Sequence, residues 1–192
     1  MYDINIIIEQ YVSIEQAVRG VMEQQCINFC TCCPDACCRL DYCLESVESP
    51  FLRMIIDRYP PRCRFDQQHG WLTTDGCCLA AGRPPVCYKF LCDRQLAGQP
   101  NEMHRYILRV LSSLISHLGR DALGGRHLVE IATVDELNKI RADRFDRRRL
   151  ETGAALLAIT TFFKTHYLNP GERQILSQVI ALPESIAEME KQ

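Results

Sequence analysis

Seven cysteines fall within eighteen residues of this chain, in the stretch CINFCTCCPDACCRLDYC that runs from Cys26 to Cys43. They are Cys26, Cys30, Cys32, Cys33, Cys37, Cys38 and Cys43. A second block, Cys63, Cys77, Cys78, Cys87 and Cys92, brings the total to twelve, and the last hundred residues hold none. No other feature limits the fold as strongly. The first block carries too little apolar surface to fold without ligands, so its folding is expected to be coupled to something the sulfurs hold. The uneven distribution predicts a cysteine-ligated region over 1–95 and a helical region over 96–192, the two packing as one unit.

How the sulfurs are used depends on the compartment. The N-terminus MYDINIIIEQ has no basic segment, and its apolar patch is too short for a secretion signal. Apolar runs such as GAALLAI fall far short of the ~20 residues of a membrane-spanning helix. These features predict a soluble, cytoplasmic protein with no membrane partner. In a reducing cytosol, close-spaced cysteines hold metal more often than they cross-link. The adjacent pairs at 32/33, 37/38 and 77/78 add to this, because neighbouring residues rarely reach disulfide geometry. Charge agrees. Cys26 to Arg94 carries eight acidic and eight basic side chains, so crowded thiolates there stay protonated or need cations to neutralise them. The whole chain has a net charge of -2, which gives no clear signal for nucleic acid.

Local patterns predict the elements. Residues 3–9 fit a short helix or a strand equally. Ser13-Ile14-Glu15-Gln16 has the form of a capping box, and Ile14, Ala17, Val18, Val21 and Met22 then follow a helical period up to Cys26. Cys26 and Cys30, four apart, share a face of the last turn. Residues 31–49 read as irregular. Ser49-Pro50 opens a helix that must end by Tyr59, before Pro60-Pro61. Residues 71–74 read as a strand closed by an Asp75-Gly76 turn, and Gly82, Pro84 and Pro85 exclude regular structure across the middle of the next segment. Asn101 caps a helix to about Leu118, striped by Met103, Ile107, Val110, Leu111, Leu114 and Leu118, with Gly119 as its stop. Thr133 opens a helix through Leu137 and Ile140 into the RADRFDRRR run. Residues 150–167 read as a well-buried helix. Asn169-Pro170 opens the last firm one, with Ile175, Leu176, Val179 and Ile180 on its apolar face, and 184–190 add a turn or two after Pro183. The fold class expected is mainly α, an irregular cysteine-ligated region packed against a helical bundle.

Soft thiolates select zinc, copper(I) or iron–sulfur clusters over magnesium or calcium. A zinc finger presents two C-x2-4-C pairs. The first block is denser and less regular, nearer to the crowding of cluster ligands. All twelve cysteines are therefore candidate ligands. Cysteine is also a common buried apolar residue, and that plainer role competes most at Cys26, Cys32 and Cys63.

At these residues the chain resembles the YkgJ-type zinc- or iron-chelating family. Cys30-x2-Cys33-x3-Cys37-Cys38 is a loosened form of its C-x2-C-x2-CC signature. Gly76-Cys77-Cys78-Leu79, then Gly82-Arg83-Pro84-Pro85-Val86-Cys87, Phe90 and Cys92, parallel its downstream elements. The resemblance covers about residues 26–94 and implies a metal or iron–sulfur module. The extra residue after Cys33 and the additional cysteines at 26, 32, 43 and 63 depart from the family pattern. One relative of that group, flagellin lysine N-methylase, is an enzyme, which brings methyl transfer into view by analogy. Cys26-x3-Cys30-x2-Cys33 also has the spacing of radical S-adenosylmethionine enzymes, but so many cysteines produce that spacing by chance.

Other residues have plainer roles. His69, His104, His117, His127 and His166 are possible ligands, with His69 best placed between the blocks, yet structural roles suit all five. Arg141 to Arg149 is interleaved with Asp143 and Asp146, as a solvated helix face is. Arg83 is a candidate donor to a sulfur, Trp71 a core residue, and Tyr88 to Phe90 a shield over the site. The expected function is a cytoplasmic iron–sulfur protein, with 4Fe-4S clusters at two or more centres, working in electron transfer or redox-linked chemistry. Twelve thiols suffice for up to three four-cysteine clusters. The partner expected is a redox protein, and a homo-oligomer is compatible. The alternatives are a zinc-folded protein-interaction module and a cluster-dependent enzyme such as a methyl transferase.

Overall fold

A computed structural model of the chain describes residues 3–30, 39–74 and 76–189. It is mainly helical, as expected: 64% helix, with ten α-helices and one two-stranded sheet among the described residues. None of these helices is long and apolar enough to cross a membrane.

Helix α1 spans Ile4–Cys30 without a break. The stripe that drives it begins well before the expected start at Ser13. Ile4, Ile7, Ile8, Tyr11, Val12 and Val18 are all buried at helical spacing, so residues 4–9 belong to the helix and Ser13 lies inside it. A second difference is α2, Leu40–Glu48, which occupies much of the stretch expected to be irregular. The inward residues of α2 are Cys43 and Ser46, which do not read as an apolar stripe. The expectation for 31–38 lies outside the described residues.

Helix α3, Pro50–Arg58, follows the local rules closely. Ser49 Oγ accepts the Leu52 N–H at 3.4 Å, Pro50 occupies the first turn, and the helix stops at Tyr59. Strands β1, Leu72–Thr73, and β2, Gly76–Cys77, pair antiparallel with Leu72 opposite Cys77. Asp75, the expected turn residue, lies outside the described residues. Helix α4, Pro85–Lys89, begins at a proline, where the missing N–H costs nothing. The short α5, Asp93–Ala97, follows.

Helix α6, Glu102–Leu118, is the centre of the molecule. Asn101 Oδ1 accepts the His104 N–H at 3.0 Å, and the helix ends at Gly119 as expected. Burial extends beyond the expected stripe to Tyr106, Leu108, Ile115 and His117, because α1, α4 and α8 pack around α6. Glycine is needed at 119 for space rather than for backbone freedom. Its φ is -88°. A Cβ there would stand 2.2 Å from the Cε1 and Nε2 atoms of His127.

After a 3-10 turn at Leu128–Glu130, Thr133 caps α7, Val134–Leu137. The continuous helix expected from Thr133 into the arginine run is absent. The chain breaks after Leu137, and a new helix, α8, runs from Ala142 to Thr165. It joins the arginine run to the segment expected to be a separate buried helix. Only one stripe of α8 is buried, including Phe145, Ala155, Ala158, Ile159 and Phe162, while Leu150 and Leu157 face outward. Its basic run is laced by ion pairs, Arg149 with Asp146 and Arg148 with Asp121 and Glu151. A reciprocal cap between Asn169 and Glu172 opens α9, Pro170–Ser177, and α10, Glu184–Met189, ends the described chain. One apolar core runs from Ile4 to Ile186 and draws on both sides of residue 95.

Candidate metal centre

A second, smaller core lies beside the main one. Cys43, Trp71 and Leu79 are its buried members, with Val47, Ile56, Cys63, Phe65 and Cys77 packed against them. Polar bonds tie it together. Trp71 Nε1–H donates to Ser46 Oγ at 2.7 Å, and that hydroxyl donates to the Cys43 carbonyl at 2.6 Å. Phe65 meets the Trp71 ring edge-on. Trp71 is thus a core residue, as expected. Cys43 lies against Gly70, whose φ is +63° and whose absent Cβ would stand 2.7 Å from both Cβ and Sγ of Cys43.

A cavity of about 90 Å³ opens from this core. Cys43 of α2, Cys77 of β2 and Cys87 of α4 all line it, together with Arg39 and Arg83. Arg39 pairs with Asp41, 3.1 Å from its Nε, and lies over the Tyr42 ring. The Nε of Arg83 is buried and has no hydrogen-bond partner among the described residues.

The segment carrying Arg83 and Cys87 is anchored by α1. Glu15, 1% exposed, accepts the N–H of Gly82 at 2.8 Å, the N–H of Arg83 at 2.9 Å and the Tyr88 hydroxyl at 2.8 Å. Burial raises the Glu15 pKa, while these three donors act in the opposite direction by stabilising the charged form. The Tyr88 pKa is pushed well up by burial and by the adjacent Glu15. One turn along, the Arg19 guanidinium donates to the Leu79 carbonyl at 3.2 Å. These contacts set the backbone course from Leu79 to Tyr88, and so the position of the cavity wall.

Glu15, an interior position of the expected Ser13–Gln16 capping box, is instead the buried anchor of a loop 67 residues away. The sequence holds a signal for it. Counted from Ile4, position 15 falls on the buried stripe between Val12 and Val18, and an acid on such a stripe needs partners. Tyr88 serves this anchor, whereas Phe90, expected to shield the site, is 44% exposed.

The twelve candidate ligands separate into groups. Cys43, Cys77 and Cys87 line the cavity. Cys63 and Cys78 form a disulfide, with an S–S distance of 2.10 Å. Sulfurs so joined are not thiolate donors, so the reading of these two as metal ligands does not hold for this state and requires the reduced pair. Cys92 caps α5, its Sγ accepting the Gln95 N–H at 3.4 Å. Cys26 is half-buried near the end of α1. Cys32, Cys33, Cys37 and Cys38, and the side chain of Cys30, lie outside the described residues. Among the described residues no group of three or more histidine, cysteine or acidic side chains is arranged to hold an ion. His69, the best-placed histidine by sequence, is instead bonded through Nδ1 to Asp66 at 3.0 Å in an exposed turn. Comparison with known proteins finds no matching family model, no matching curated protein and no matching solved structure.

Proposed function

We propose that the cysteine-rich region is a thiolate-held metal module of a cytoplasmic iron–sulfur protein, with two or more centres serving electron transfer or redox-linked chemistry. The observation that carries this reading is that Cys43, Cys77 and Cys87, from three separate elements, line one cavity with Arg39 and Arg83, where a bound metal would have to draw them into a ligand set. The donor chemistry suits the group. Thiolates suit soft metals, and two guanidiniums offset the negative charge of a thiolate-bound cluster. The buried Nε of Arg83 is a donor suited to a cluster or thiolate sulfur. A bound cluster would supply one-electron transfer. Cys43, Cys77 and Cys87 would hold it, with further sulfurs from the first block. The resemblance of residues 26–94 to YkgJ-type chelating proteins supports the same reading.

The small core favours a second reading, a zinc-folded interaction module. With only three buried side chains, it gains by being fixed through a metal whether or not that metal is redox-active. One experiment separates the two. The full chain is purified without oxygen, analysed for iron, zinc and acid-labile sulfide, and examined by electron paramagnetic resonance after reduction. Iron with sulfide and a reducible chromophore is the expected result. Colourless protein without iron or sulfide rejects the iron–sulfur reading, and stoichiometric zinc without sulfide supports the alternative.

A further inference from the structure

We propose that His104 and His166 form a sulfur-free site for a borderline divalent transition ion such as Zn2+ or Ni2+, which would clamp the start of α6 to the end of α8. The two residues are 62 apart in sequence, yet His104 Nε2 and His166 Nδ1 are separated by 3.3 Å. Two nitrogens bound tetrahedrally to zinc at about 2.0–2.1 Å lie about 3.3–3.4 Å apart. The separation is already that of a ligand pair, and it is long for a hydrogen bond.

Both rings are held in place before any ion arrives. His104 stands in the first turn of α6, where Asn101 Oδ1 accepts its backbone N–H at 3.0 Å and meets its Nδ1 at 2.9 Å. With Nδ1 as the donor to Asn101, Nε2 keeps its lone pair, which is the orientation that second-shell acceptors impose on ligating histidines. His166 is the left-handed cap of α8, with φ at 56° and its N–H bonded to the Phe162 carbonyl at 2.7 Å. The Phe162 ring packs edge-on against both imidazoles. Binding the ion moves the His166 proton from Nδ1 to Nε2, so no net proton is released. His166 is exposed, and no third protein ligand joins the pair among the described residues. Water would complete the coordination, and the ion would exchange readily.

The test reads the imidazoles and not total metal, since sulfur also takes Ni2+. Full-length protein labelled at histidine, with its free thiols alkylated so that no sulfur near His69 takes the ion, is titrated with Ni2+ and followed by nuclear magnetic resonance. The His104 and His166 ring signals should broaden together, at lower Ni2+ than those of the exposed His69. His166→Asn, which keeps a residue tolerant of positive φ, should weaken the response of His104 at least ten-fold. Asn101→Ala should weaken the pair about ten-fold, whereas Asn101→Asp, which retains the acceptor, should not. Broadening of His69 at the same Ni2+ as the pair would overturn the site, as would a His104 response unchanged by His166→Asn. Should a variant fail to fold, the order of broadening in the unaltered protein decides.

Discussion

The two apolar clusters of this molecule are held in different ways. The main core surrounds α6 with wholly buried aliphatic and aromatic side chains from α1, α3 and α8, and it needs only their burial. The small core around Trp71 has three buried members, and cysteines make up one of them and two of its neighbours. A cluster of that size excludes too little water to order the loops around it, so cross-links or ligands must contribute. The contrast teaches where each half is vulnerable: the helical half to lost volume, the cysteine half to lost sulfur chemistry.

Four experiments test that contrast. The largest effect should come from Leu111→Ala in the middle of α6, which removes a fully buried side chain and should cost about 2–5 kcal/mol. Because the main core includes α1 and α3, hydrogen exchange should accelerate on both sides of residue 95. Replacing Cys63 and Cys78 together by serine should cost about 3 kcal/mol, the entropy of a loop of their fifteen-residue separation. Here the loss should stay local, with exchange in α6 and α8 unchanged. Loss of protection in α6 would show that the small core supports the large one.

Gly70→Ala should cost about 1–3 kcal/mol, since the new Cβ meets Cys43 and the backbone is left-handed. Thiol labelling of Cys43 should quicken while α6 stays intact. The smallest effect should be in pH dependence, with opposite signs in the two halves. Burial lowers the pKa of His117 and of His127 below the ordinary 6.5. Their contribution to stability is complete above that value and is lost as pH falls through it, and His117→Gln should flatten the decline. Burial raises Glu15 above its ordinary 4.5. Its contribution is greatest below that value and is lost as pH rises through the raised one. Glu15→Gln should therefore gain on the unaltered protein as pH rises above 4.5, read by urea denaturation.

Features set by neighbours in sequence were legible. Ser49-Pro50, Asn101 and Asn169 each mark a helix start through a side-chain oxygen and an N–H two or three residues on. The same logic misled at Ser13, where a capping pattern lay inside a helix already fixed by the stripe from Ile4. Helix α2 was hidden because its buried face is sulfur and hydroxyl rather than hydrocarbon. Of the candidate site, the residue types were legible and the grouping was not. Nothing near Cys43 in sequence indicates that Cys77 and Cys87 share its cavity. The Glu15 anchor likewise depends on Gly82, Arg83 and Tyr88, which no local rule connects to α1.

The contact between positions 119 and 127 constrains how this chain can change over generations. With the imidazole in place, any residue larger than glycine at 119 strikes the His127 ring. A side chain at 119 therefore requires that the His127 ring turn aside or that 127 become smaller. Changing 119 first meets that ring, so the two positions are coupled rather than two independent choices.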